Sequence, residues 1–100
     1  MLNILIVCNA GMSSGILARK MEDSSKGEAV VKAVGVSEYQ DKLENVDVIL
    51  VGPQIRFQLN EIQENAELPA MTIDLAKYGI MDAEGILRDA LQFYEGEKSS

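Results

Sequence analysis

Two short and almost uninterrupted apolar runs constrain the fold of this chain more than any other feature of its sequence. They occupy residues 2–7 and 46–51. Runs of this length and continuity are typical of strands that are buried on both faces of a parallel sheet. Two further strand patterns follow at residues 29–34 and 68–73, and a helical pattern follows each of the four strands.

The alternation of strands and helices predicts the fold class. A chain of 100 residues has the length of one domain. We therefore expect a single α/β domain over residues 1–100, with a four-stranded parallel sheet and helices on both faces, as in a flavodoxin-like or Rossmann-like open sandwich. In such folds ligands bind beyond the carboxyl ends of the strands, where the strand order reverses. If the first strand is central, Cys8 lies at that point.

Local signals place the later helices. Residues 37–40 have the form of a capping box that would start a short second helix, and Asp82 is the expected N-cap of the last one. The polar residues 95–100 are predicted to fray. The apolar face of the third helix is predicted to consist of Ile55, Leu59, Ile62 and Ala66.

The charge of the chain bounds its partners. Nine basic and sixteen acidic residues give a net charge of −7, which disfavours nucleic acid and anionic membrane surfaces. No apolar run approaches the roughly 18–20 residues that span a membrane, and the N-terminus lacks the features of a signal peptide. We expect a cytoplasmic protein with no membrane insertion of its own.

Cys8 is the only cysteine, and the chain has no histidine. An internal disulfide and a Cys-rich metal site are therefore excluded, and we expect no metal and no cofactor. A Cys–His catalytic pair is excluded as well. Any histidine that takes part in the chemistry must belong to a partner protein.

A loop of small residues follows Cys8 and opens into the first helix, which Ser13 or Ser14 is expected to cap. Consecutive backbone N–H groups and the positive end of a helix would favour a thiolate at Cys8 and a phosphate beside it, as in a P-loop-like anion site. The hydroxyl groups of both serines can donate to phosphate oxygens. The predicted phosphate-binding loop comprises Asn9, Ala10, Gly11, Met12, Ser13 and Ser14.

One absence in this loop separates two kinds of cysteine chemistry. Cysteine phosphatases have the pattern Cys-x5-Arg, in which the arginine clamps the phosphate and stabilises the transition state. Ser14 stands at that position here, and the nearest arginine is Arg19. A site built from neutral dipoles can accept a phosphoryl group and keep it, which favours a carrier over a phosphatase.

Four segments resemble the enzyme IIB components of the lactose and cellobiose (diacetylchitobiose) class of the bacterial phosphoenolpyruvate-dependent sugar phosphotransferase system. The matching residues are 8–14, 47–55, 73–79 and 81–82, beginning with Cys-Asn-Ala-Gly-Met-Ser-Ser. The likeness extends over almost the whole chain. One departure is Ser13-Ser14-Gly15, where many members read Ser-Thr-Ser, so either hydroxyl remains a candidate for the phosphate contact.

The resemblance implies a function. Cys8 would receive a phosphoryl group from a phosphohistidine of enzyme IIA and pass it to a sugar held by the membrane enzyme IIC. The chain would then be a protein-phosphohistidine–sugar phosphotransferase component with a phosphocysteine intermediate. It would act as a monomer that visits the membrane only through enzyme IIC. Its sugar would be a β-linked disaccharide such as cellobiose or chitobiose.

Other residues are candidates for the rim of the site. Pro53 and Gln54 follow the third strand, and Tyr78 follows the fourth. Gln54 either lies near the phosphate or is solvated in a helix turn, and Tyr78 either supplies a hydroxyl or packs. Asp74 is interpreted as a loop or cap residue, and Phe57 as either rim or core. Met12 is expected to be exposed and to form part of a docking surface.

Two other functions are compatible with a strand–loop–helix anion site. A small cysteine phosphatase or arsenate reductase would share it, but Ser14 in place of the arginine and the lack of a second cysteine count against both. A non-catalytic anion-binding module would share it too, with Cys8 incidental. Covalent phosphate on Cys8 distinguishes the carrier from that module.

Overall fold

The computed structural model describes residues 1–9 and 12–99. Strands β1 to β4 are Leu2–Cys8, Ala29–Gly35, Val48–Val51 and Ala70–Thr72. Helices α1 to α4 are Met12–Ser25, Leu59–Ala66, Leu75–Gly79 and Ala83–Ser99. Two 3-10 helices lie at Tyr39–Lys42 and Pro53–Gln58.

The four strands form one parallel sheet in the order β2-β1-β3-β4. The predicted α/β open sandwich is confirmed, and its strand order is that of the first four strands of a flavodoxin-like sheet. β1 is central: Cys8 is paired with Gly35 of β2, and Val7 is paired with Val51 of β3. Because the chain leaves β1 for β2 on one side and reaches β3 on the other, Cys8 lies where the strand order reverses.

Alternate residues of β1 build two hydrophobic cores. Ile4 and Ile6 belong to the core that α1 and α4 cover, and both are at most 2% exposed. Leu5 and Val7 belong to the core on the opposite face, which α2 covers through Ile62. The near-continuous apolar run in β1 is therefore explained by burial on both faces.

Two strands are shorter than their apolar patterns predicted. β3 begins at Val48 because Asp47 is engaged at the start of β1: its side chain accepts a hydrogen bond from the Asn3 amide at 2.8 Å. β4 begins at Ala70 because Glu67 ends α2 in a left-handed conformation and Pro69 has no N–H to donate.

The predicted capping box at residues 37–40 is wrong. The 3-10 helix starts at Tyr39, and its cap residue Glu38 makes no side-chain capping bond. The burial of Tyr39 sets where this 3-10 helix begins: the residue is 4% exposed, and its hydroxyl accepts a hydrogen bond from Asn65 at 3.1 Å. By contrast, the apolar face predicted for the third helix, which is α2 of the structure, is confirmed. Ile55 belongs to this face but lies in the preceding 3-10 helix.

The last two helices are held in place by acidic caps and an ion pair. Asp74 accepts a hydrogen bond from the Lys77 amide, and Asp82 accepts one from the Gly85 amide, both at 3.0 Å. Asp74 is therefore a cap, and the predicted N-cap at Asp82 is confirmed. The Lys77 ammonium lies 2.6 Å from Asp89, whose hydrogen bond raises the pKa of the lysine. This pair joins α3 to α4.

α4 runs to Ser99 and so includes most of the segment 95–100 that we expected to fray. The ammonium of Lys98 lies 5.9 Å from the centre of the Tyr94 ring, four residues earlier on the same helix. Within the described residues, no helix is long and apolar enough to cross a membrane.

The cap at Asp82 gives a stability prediction. Asp82→Ala removes the acceptor of the Gly85 amide, so the free energy of unfolding should fall by about 1 kcal/mol. Asp23→Ala is the control, since Asp23 is exposed on α1 and should change stability by less than about 0.5 kcal/mol. Urea unfolding of both variants measures the difference. Equal losses would show that the cap does not stabilise α4.

Candidate functional site

Cys8 is held rigidly at the carboxyl end of β1. The Val36 amide donates to the Cys8 carbonyl at 2.7 Å, and the Gly52 amide donates to the Val7 carbonyl at 2.8 Å. The first donor follows β2 and the second follows β3, so the two bonds reach the central strand from opposite sides. The backbone that carries the thiol is therefore fixed on both sides.

The Cys8 thiol is buried, with only 3% of the residue exposed. Its Sγ lies 2.8 Å from the Ser14 hydroxyl oxygen, close enough to share a hydrogen bond, and 3.9 Å from the Val34 carbonyl. Cys8 and Ser14 both line a small pocket of about 190 Å³ between α1 and the end of β2. By exposure alone, Cys8 resembles a structural cysteine. The pocket is what gives the thiol an approach.

The two serines of the loop have different surroundings, and neither caps α1 as predicted. The helix begins at Met12, so Ser13 and Ser14 lie in its first turn. Ser14 is 1% exposed and faces Cys8, whereas Ser13 is exposed and its hydroxyl lies 3.5 Å from that of Tyr78. The structure thus separates two hydroxyl groups that the sequence left equivalent.

The start of α1 is electrostatically suited to an anion. Its first turn contains no acidic residue, so the partial positive charge of the helix end is not neutralised there. Of the predicted loop, Asn9 is exposed, while Ala10, Gly11 and the Met12 side chain lie outside the described residues. The row of N–H groups that we expect from residues 9–14 remains a prediction.

The residues after β3 lie beside Cys8. A side chain at Gly52 would place its Cβ 3.1 Å from the Cβ of Cys8, so only glycine fits here without displacing the cysteine. The same position is 3.5 Å from the Gln54 Oε1 atom. Gln54 is exposed and Pro53 is buried, and the rim roles predicted for these two residues stay predictions. The sequence marked Gly52 only as the end of a strand.

Tyr78, which follows β4, lies close to Ser13. Tyr78 is half-buried and its hydroxyl lies 3.5 Å from that of Ser13, while its predicted place at the rim and its role stay predictions. Phe57 is 78% exposed and is not part of the core. Leu75 and Ile80 of the α3 region are also exposed large apolar residues.

Glu38 is a residue that sequence reasoning missed. It lines the Cys8 pocket, and its Oε1 atom lies 3.6 Å from the position that a Cβ on Gly35 would occupy. No sequence signal pointed to it, because residues 37–40 were interpreted as a capping box. Glu38 is exposed, so its carboxylate lies at the solvent side of this pocket.

The geometry can be compared with known proteins. The family model described as "PTS system, Lactose/Cellobiose specific IIB subunit" matches residues 3–89 of the chain. The oligo-beta-mannoside-specific EIIB component of Bacillus subtilis is 32% identical, over 91% of this chain and 94% of its own length. The cellobiose-specific EIIB component of Lactococcus lactis is 30% identical, over 87% and 91%.

Solved structures agree with this assignment. The cellobiose-specific IIB component of Borrelia burgdorferi superposes with a TM-score of 0.74 at 30% identity, covering 95% of this chain and 93% of that one. The lactose-specific IIB domain of Streptococcus pneumoniae gives a TM-score of 0.81 at 19% identity, over 93% and 97%, and supports the fold. The chain belongs to the lactose/cellobiose-specific IIB subunits of the sugar phosphotransferase system.

Proposed function

We propose that this IIB subunit carries a phosphoryl group on Cys8 between two partners. The donor is a phosphohistidine of enzyme IIA, and the acceptor is a sugar bound by the membrane enzyme IIC. The observation that carries the proposal is the placement of the only thiol of the chain, 2.8 Å from the buried Ser14 hydroxyl at the start of α1. Family membership supplies the reaction to which such a thiol is suited.

The transfer needs no metal, and once Cys8 is a thiolate it needs no general base on this chain. The Cys8 thiolate attacks the phosphorus of the phosphohistidine, the S–P bond forms as the N–P bond breaks, and the imidazole leaves with the electron pair of that bond. In the second step the oxygen of a sugar hydroxyl attacks the same phosphorus and the O–P bond forms as the S–P bond breaks. Cys8 leaves as thiolate with the electron pair of that bond, and the hydroxyl proton passes to solvent. Such transfers depend on alignment of donor and acceptor and on charge stabilisation.

Ser14 and the start of α1 supply the stabilisation. When Cys8 is a thiolate, the Ser14 hydroxyl donates its hydrogen bond to the sulfur and orients it. The helix end, together with the predicted N–H groups of Asn9, Ala10, Gly11, Met12 and Ser13, then holds the phosphoryl oxygens. In this proposal the polar groups of Gln54 and Tyr78 contact the phosphoryl group as it enters.

Burial and the missing arginine favour retention of the phosphoryl group. Cys8 is 3% exposed, which limits attack by water on a phosphocysteine. Ser14 occupies the position where a cysteine phosphatase has its arginine, so the charged group that would stabilise hydrolysis is missing there. Both features suit a carrier.

The names of the relatives indicate the sugar. They include an oligo-beta-mannoside-specific and a cellobiose-specific component. We propose a β-linked disaccharide such as cellobiose or chitobiose as the final acceptor. The subunit would act in the cytoplasm as a monomer and reach the membrane only through enzyme IIC.

Cys8→Ser tests the nucleophile. In a reconstituted system with phosphoenolpyruvate, the general phosphotransferase proteins and a cellobiose-type IIA, wild type should gain a phosphoryl group and the variant should not, because a serine hydroxyl is a much weaker nucleophile than a thiolate. Rapid-quench measurement of phosphoryl transfer gives the rates. Transfer to the variant at the wild-type rate would contradict the proposal and leave a non-catalytic anion-binding module as the better explanation.

Ser14→Ala tests the hydrogen bond to the sulfur. Loss of this charge-assisted bond should slow single-turnover transfer from phospho-IIA by about tenfold. Ser13→Ala is the matched control, because Ser13 is exposed and faces Tyr78, and its rate should fall by less than about threefold. A comparison of melting temperatures separates this effect from loss of folding. Equal rates in the two variants would exclude a specific role for Ser14.

A further inference from the structure

A groove between α1 and β2 opens directly beside the Cys8 pocket. Its volume is about 690 Å³, and it shares Gly15, Ala33 and Val34 with the pocket of the thiol. Three cationic side chains line it: Arg19, Lys32 and Lys42. We call this surface the basic groove. The basic groove reaches the thiol pocket from the β2 side of the central strand.

The cations of the basic groove are available to a partner. Arg19, Lys32 and Lys42 are exposed, and among the described residues none of them lies within 4.0 Å of a carboxylate oxygen. Of the described residues in the lining, Glu22 alone is acidic, and its carboxylate accepts a hydrogen bond from the Val31 amide at 2.9 Å. The groove is therefore a local positive surface on a chain whose net charge is −7.

The lining of the basic groove and the charge of the rest of the chain favour a protein segment over a membrane. Its floor is small and apolar, with Ala18 and Val31 beside the residues shared with the thiol pocket. An anionic bilayer would meet the repulsion of the acidic remainder of the chain, whereas a protein segment contacts the groove alone. A partner segment with acidic side chains would pair with the cations of the basic groove, and an apolar face on the same segment would pack on its floor.

We propose that the basic groove docks an acidic segment of the phosphoryl donor, the phosphorylated IIA, and this inference rests on the function proposed above. The donor is favoured because its charge changes during the reaction. A phosphoryl group carries about two negative charges, which lie on the donor before transfer and on Cys8 after it. The groove therefore attracts the phosphorylated donor more than the spent one, and transfer itself promotes release.

The test compares two double variants with the same change in net charge. Arg19→Glu with Lys32→Glu reverses the groove, and Lys26→Glu with Lys98→Glu reverses two exposed lysines that line neither the groove nor the thiol pocket. Transfer from phosphorylated cellobiose-type IIA to each protein is followed by rapid quench over a range of donor concentrations and salt. Circular dichroism checks that both variants are folded.

The groove variant should lose about tenfold in the second-order rate constant at low salt, with the maximal single-turnover rate unchanged, and the control should lose less than about threefold. At about 0.5 M salt the two should converge. Equal losses in both variants, or a groove loss that salt does not reduce, would overturn the inference. Failure of wild type to accept phosphate would instead overturn the proposed function. Binding to phosphatidylglycerol vesicles that the groove variant alone loses, with unchanged donor rates, would assign the groove to the membrane and also overturn the inference.

Discussion

Burial of β1 on both faces is the constraint on which the site depends. Ile4 and Ile6 pack under α1 and α4, while Leu5 and Val7 pack under the opposite layer, so this strand is fixed at the centre of the sheet. A central first strand puts its carboxyl end at the switch in strand order, with β2 on one side and β3 on the other. Cys8 is the last residue of that strand. The position of the thiol is therefore fixed by the packing of β1 in the two hydrophobic cores.

The surroundings of the thiol combine rigidity with restricted access. Gly52 allows β3 to approach Cys8 closely, and the Ser14 hydroxyl lies 2.8 Å from the sulfur on the other side. A thiol that is 3% exposed meets few small molecules. A docked protein overcomes this barrier, because docking supplies the alignment and the binding energy. This arrangement suits transfer between proteins better than reaction with dissolved phosphate.

Most of the fold could be predicted from the sequence because the apolar runs and helical patterns are locally consistent. Errors arose where a tertiary contact overrode a local signal. Tyr39 is buried and sets the start of its turn, so the capping box at residues 37–40 did not form. In the candidate site, the motif alone makes Cys8 the predicted nucleophile. The different surroundings of Ser13 and Ser14, and the presence of Glu38, depend on how α1 and β2 pack, which no local pattern encodes.

The central claim is that the phosphoryl group is attached to the sulfur of Cys8 and not to a neighbouring hydroxyl. The most direct measurement is mass-spectrometric mapping of the protein after phosphorylation by phospho-IIA, with fragmentation that resolves Cys8 from Ser13 and Ser14. We predict one phosphoryl group, located on Cys8 and lost when the sugar and its enzyme IIC are added. A phosphoryl group on either serine, or one that persists in the presence of both, would contradict the proposed carrier function.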